Sequence, residues 1–130
     1  MASTYTILIV DDDKKVCDLF AAFVKMGLKE VQCVFASEPS QAMLKLENQD
    51  FDLIVIDKML PNKSGLDLIK NLKRSLRFSS KKILFMSASM ERADVYRVLH
   101  LGVSDVLIKP FTFKPVVEKI GRLLEINSNK

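Results

Sequence analysis

The sequence predicts an α/β protein: a doubly wound sheet of five parallel strands in the order 2-1-3-4-5, with helices on both faces. Three observations carry this reading. Short runs rich in β-branched residues recur along the chain, among them Thr6-Ile7-Leu8-Ile9-Val10 and Phe51-Asp52-Leu53-Ile54-Val55-Ile56. A continuous apolar string has no polar face to offer water, so such runs read as strands buried on both sides. Stretches with apolar residues at helical spacing separate them, and the alternation repeats five times. Right-handed crossovers then leave few topologies.

The first strand is Tyr5 to Val10. A helix follows from Lys14 to Leu28, with Val16, Leu19, Phe20, Phe23 and Val24 on one stripe and Gly27 near its stop. Asp13, a favoured capping residue, begins it. Strand two is Val31 to Phe35. Ser37-Glu38-Pro39 opens the second helix, where the missing proline N–H costs no bond; Ala42, Met43, Leu44 and Leu46 are its apolar residues, and it ends by Asn48-Gln49-Asp50. Strand three is Asp52 to Ile56. After a loop carrying Pro61 and ending at Gly65, the residues Leu68, Ile69, Leu72 and Leu76 mark helix three. Strand four is Lys82 to Met86. Ser89 reads as the cap of helix four, with Glu91 in its first turn and Gly102 at its end. Strand five is Asp105 to Ile108. Thr112 and Pro115 open the last helix, with Val116, Val117, Ile120, Leu123 and Leu124 inward, and Asn127 to Lys130 read as a frayed tail.

The 130 residues fit one domain (1–130, core about 5–126) large enough to bury a core. No apolar stretch approaches the ~18 residues of a membrane span. The N-terminus lacks a basic region followed by a long apolar one, so a soluble cytoplasmic protein is expected. The net charge is +4, and basic residues bunch at Lys70, Lys73, Arg74, Arg77, Lys81 and Lys82. No DNA-binding motif accompanies them, so these read as a solvated helix face and its exit loop. Cys17 and Cys33 read as reduced, half-buried small residues, and His100 as a helix surface residue.

The strand ends concentrate the chemistry. Strand one stops at Asp11-Asp12-Asp13 and strand three at Asp57. In the order 2-1-3-4-5 these strands are neighbours, and ligands bind off their C-terminal ends. Carboxylates so gathered repel, and they call for a cation or a proton. Strand four ends at Ser87, followed by Ala88; strand five ends at Lys109, followed by Pro110. Oxygen ligands suit Mg²⁺. A lysine and a hydroxyl suit an incoming anion, and an aspartate can act as nucleophile toward phosphorus.

The segments ILIVDDD, DLIVIDKMLPNKSGLDL, ILFMSAS and DVLIKPF, in this order and spacing, resemble the landmarks of response-regulator receiver domains of two-component signalling, chemotaxis-regulator-like and with a flavodoxin-like (βα)5 fold. The resemblance covers Thr6 to Ile126. It implies that Asp57 is the phosphoacceptor, and that Asp11, Asp12, Asp57 and the backbone carbonyl of Met59 hold Mg²⁺. It implies that Ser87, Ala88 and Lys109 contact the phosphoryl group, that Lys109-Pro110 is cis, and that Pro61 and Gly65 form the turn after the phosphoacceptor. Val106 stands where the family often carries Tyr or Phe, so the signal is expected to pass by the backbone or by repacking of helix four.

The implied phosphoryl donor is a histidine kinase or a histidine phosphotransfer protein. The implied output surface is helix four, strand five and the last helix, with Val95, Tyr96 and Leu99 exposed for a downstream protein. Direct binding of nucleic acid or membrane is not expected, and the domain reads as a self-phosphorylating and self-dephosphorylating switch rather than a turnover enzyme. Other readings stay open at this stage. A phosphohydrolase would want an acid two residues after the nucleophile, where this chain has Met59. A docking module with a vestigial site is another, and the chain reads equally as a stand-alone receiver or one excised from a larger kinase or transcription factor.

Overall fold

The computed structural model describes residues 5–89 and 91–126. It has ten alternating elements: β1 (Tyr5–Val10), α1 (Lys14–Gly27), β2 (Val31–Ala36), α2 (Pro39–Asn48), β3 (Leu53–Asp57), α3 (Gly65–Arg74), β4 (Ile83–Ser87), α4 (Arg92–His100), β5 (Asp105–Ile108) and α5 (Phe113–Leu123). The strands form one parallel sheet in the order β2-β1-β3-β4-β5. This is the flavodoxin-like doubly wound architecture expected from the sequence.

Side chains of a strand alternate between faces, so one apolar run feeds two cores. Ile7, Ile9, Leu53, Val55, Leu84 and Met86 face α1 and α5, where they meet Phe20, Val24, Val116 and Ile120. Leu8, Val10, Ile54, Ile56, Ile83 and Phe85 face the other way, onto Ala42, Leu46, Leu68, Ile69, Leu72 and Val98 of α2, α3 and α4. Phe20 and Phe23 meet Phe111 edge-on, and Phe23 meets Phe113 likewise, closing the α1–α5 side near the site.

Several expectations shift. In α1 the buried line is Cys17, Phe20 and Val24, which leaves Leu19 exposed. In α2 Ala42 and Leu46 point inward; Leu44 lies two residues, about 200° of helix, from each and is exposed. Leu76 is fully exposed because α3 ends at Arg74. Ser75 Oγ there accepts the N–H groups of Arg77 and Phe78, and Phe78 takes the buried position instead. Glu91, not Ser89, is the N-cap of α4, and the helix stops at His100 rather than Gly102. Thr112 stands at the N-cap of α5 without a capping side-chain bond. The expected tail, Asn127 to Lys130, lies outside the described residues.

The basic run is largely taken up within the fold. Lys73 donates to the carbonyls of Ser79 and Lys81, Arg77 to that of Glu47, Lys81 to Asp50 and Phe51, and Lys82 to Leu123 and Glu125. His100 is exposed, Cys17 is buried and Cys33 half-buried, and both cysteines are free.

Candidate functional site

The site lies across the C-terminal ends of β1, β3, β4 and β5. Val10 pairs in register with Ile56, Asp57 with Met86, and Ser87 with Ile108. One strand end after another is thereby delivered to the same edge. Asp13 caps α1, its Oδ1 accepting the N–H of Lys15 at 3.0 Å and of Val16 at 3.4 Å. That use withdraws Asp13 from the acid cluster. Asp11 Oδ1 accepts the N–H of Asp13 at 2.9 Å, which fixes its carboxylate.

Asp11, Asp12 and Asp57 each offer a carboxylate oxygen, all within 4.8 Å of one another. Asp11 and Asp57 are buried, whereas Asp12 is exposed. Lys109 Nζ sits between the two buried acids, 2.8 Å from Asp11 and 2.9 Å from Asp57. Such charge-assisted contacts in a sheltered place are the compensation that buried carboxylates require.

Burial pushes the Asp57 carboxyl above the ordinary aspartate range; the Lys109 hydrogen bond opposes this and the Asp11 charge adds to it. For Lys109 burial pulls the ammonium down, but its bonds to Asp11 and Asp57 outweigh it, and the net shift is upward. The cation is therefore firmly held. The sulfur of Cys17 donates to the Asp11 carbonyl at 3.5 Å, and burial followed by the Asp11 charge raises its thiol to about 11. It is a packing residue and not a nucleophile.

Ser87 is buried at the end of β4, but its hydroxyl is engaged locally. Oγ donates to the Ser89 carbonyl at 2.7 Å and accepts the Ser89 N–H at 3.2 Å. Ala88 is exposed beside it. The Lys109–Pro110 peptide is cis, and the Lys109 N–H donates to the Ser87 carbonyl at 2.9 Å. Met59 turns its side chain to solvent. Val106, paired with Phe85, packs half-buried against the core face shared with α4. Tyr96 and Leu99 are exposed on α4, but Val95 is half-buried.

The structure thus brings together Asp11, Asp12, Asp57 and Lys109 and leaves the Ser87 hydroxyl parked on Ser89. Three oxygen donors at this spacing fit a hard divalent cation such as Mg²⁺.

Two features were not visible in the sequence. Gly65 packs so tightly on β3 that a Cβ there would lie 2.0 Å from the Asp57 carbonyl oxygen. Lys58, the residue after Asp57, forms an ion pair with Asp94 of α4 at 3.1 Å, across 36 positions that no periodicity connects.

Residues 7–121 match the family model described as the response regulator receiver domain. This chain belongs to that family. The receiver domain is 32% identical over 119 residues to the phosphate regulon transcriptional regulatory protein PhoB of Pseudomonas aeruginosa, covering 92% of this chain and 51% of that protein. It is 28% identical over 120 residues to chemotaxis protein CheY-3 of Vibrio cholerae, covering 92% of this chain and 91% of CheY-3. It thus spans about half the length of PhoB but nearly all of CheY-3. Among solved structures, a two-component response regulator from Clostridium difficile superposes with a TM-score of 0.85 at 26% identity, over 96% of this chain and 100% of that one. Receiver domains are signalling switches of two-component systems. Among the described residues, no helix is long and apolar enough to cross a membrane.

Proposed function

We propose that this receiver domain takes a phosphoryl group on Asp57 from a phosphohistidine donor, carried by a histidine kinase or a histidine phosphotransfer protein. The observation that carries the reading is the Lys109 ammonium bridging two buried acids beside a third, at the edge where four strands end. A buried carboxylate already held by a fixed cation is poised to become an acyl phosphate, a mixed anhydride whose negative charge lies on the phosphoryl oxygens beside that cation.

An Asp57 carboxylate oxygen attacks phosphorus, and the phosphorus–nitrogen bond of the donor breaks with its electron pair passing to the imidazole. Asp11, Asp12, Asp57 and the Met59 carbonyl would hold Mg²⁺, whose contribution is to neutralise the phosphoryl oxygens. Lys109 keeps its contact with Asp11 and offers its remaining protons to the transferred group. The Ser87 hydroxyl leaves the Ser89 carbonyl and donates to a phosphoryl oxygen, and the exposed Ala88 beside it contacts the same group. Val106 supplies no ring to follow Ser87, so the change travels through the β4–α4 segment to α4. The exposed Tyr96 and Leu99, with the half-buried Val95 of the same helix, present it to a downstream protein as part of an α4–β5–α5 surface. We further take residues 1–130 as one cytoplasmic receiver unit that switches without turnover, binding neither nucleic acid nor membrane directly.

Amide chemical shifts recorded with Mg²⁺ and beryllofluoride, a phosphoryl mimic, test this. Shifts are expected at Asp57, Ser87 and Lys109 and through α4. Unchanged spectra at saturating mimic would refute phosphoacceptance, and shifts confined to the strand ends would refute transmission through α4.

A further inference from the structure

The helix that would carry the signal is weakly attached. Val98 is the one buried residue of α4, and Glu91 stands at its N-cap without a capping side-chain bond. Among the described residues its one ion pair is Asp94 to Lys58, at 3.1 Å, with both side chains largely shielded from solvent. The Lys58 backbone is pinned on both sides. Its N–H donates to the Met86 carbonyl of β4 and its carbonyl accepts the Gly65 N–H of α3, both at 2.8 Å. The pair therefore ties the first turn of a loosely packed helix to the residue next to Asp57.

We propose that Lys58 and Asp94 form a latch that sets the resting position of α4 and thereby the ease of switching. This rests on the proposed phosphoacceptor role of Asp57. When the Ser87 hydroxyl leaves Ser89 for an acceptor on Asp57, Ala88 and Ser89 must follow, and they stand shortly before the helical turn holding Asp94. A fixed Lys58 resists the movement. The latch thus does by charge, and on the opposite sign of action, what a missing ring at Val106 does not: it couples α4 to the site by opposing the switched state. By linkage, whatever stabilises only the resting state lowers affinity for the ligand of the other.

The test is hydrogen exchange of the amides Arg92 to His100 in wild type, Lys58→Met, Asp94→Asn and the exchanged pair Lys58→Asp/Asp94→Lys, with and without Mg²⁺ and beryllofluoride. Without the mimic, exchange in α4 is expected to rise roughly three- to tenfold in both single variants, as fits loss of one shielded pair. Protection in β1, β3 and α5 should stay at wild-type values, and the exchanged pair should restore α4. The single variants should also need about three- to tenfold less mimic for half-saturation. Unchanged α4 exchange in the single variants overturns the proposal, as does a uniform loss of protection across the fold. If wild type ignores the mimic, the phosphoacceptor reading fails; the comparison without mimic still decides whether the latch exists.

Discussion

Gly65→Ala sets two physical effects against each other with opposite signs. Gly65 opens α3, and alanine in a helix is favoured over glycine by up to about 1 kcal/mol. Propensity therefore predicts a small gain in stability. The packing predicts a loss. A Cβ at this position would lie 2.0 Å from the Asp57 carbonyl oxygen, 2.9 Å from its carbon and 3.1 Å from Lys58 Cα, and all three are backbone atoms. A flexible side chain could swing away, but the end of β3 cannot. To reach even the 3.0 Å that real Cβ contacts respect, α3 and the end of β3 must part by about 1 Å. Overpacking of this kind costs about 1–3 kcal/mol, which outweighs the helix gain. Urea denaturation should place Gly65→Ala roughly 1–3 kcal/mol below wild type, with phosphorylation reduced because the displaced backbone carries Asp57. Gly102→Ala is the control. Its φ of +94° strains any L-residue, yet the nearest atom to a Cβ there is Lys73 Cε at 3.5 Å. It should cost about 1–2 kcal/mol and leave phosphorylation intact. If Gly65→Ala is as stable as wild type or more so, the close approach of α3 to β3 is wrong.

Other outcomes follow from the charges. Burial raises the folded Asp57 carboxyl above its unfolded value, so the folded state binds more protons between the two, and stability falls as pH rises through that window. Asp57→Asn should therefore melt higher than wild type at neutral pH, with the advantage shrinking as acid protonates Asp57; an advantage that grows in acid would contradict the sign. Mg²⁺ at roughly ten times its dissociation constant should stabilise the domain by about 1.4 kcal/mol, a rise of a few degrees in Tm, and Asp12→Asn with Asp57→Asn should abolish it. Burial places the Cys33 thiol at about 12 and leads the rise of Cys17 to about 11. Both should resist iodoacetamide at about pH 8 until urea unfolds the chain, and native labelling at the rate of a free thiol would argue against the packing.

Apolar pattern carried most of the fold. The runs and stripes predict all ten elements in order, most plainly at β1, β3 and β4, where burial on both faces of a parallel sheet writes itself as continuous apolar strings. Errors arose where pattern is silent. Leu19 shares the spacing of the α1 stripe and Leu76 that of α3, yet both are exposed, because a helix face is narrow and α3 ends before Leu76. Ser89 looked like a cap, whereas its backbone is spent on Ser87. Asp11, Asp12, Asp57 and Lys109 were legible because each sits at a strand end, and strand order alone gathers them. The Lys58–Asp94 pair and the fit of Gly65 on Asp57 were not, since both depend on how α3 and α4 seat against the sheet.

Intact mass after incubation with acetyl phosphate and Mg²⁺ measures the central claim most directly. Wild type should gain the mass of one phosphoryl group, lose the gain when Mg²⁺ is chelated, and show none in Asp57→Asn. No gain in wild type under conditions that phosphorylate another receiver domain, or a gain that persists in Asp57→Asn, would contradict the account.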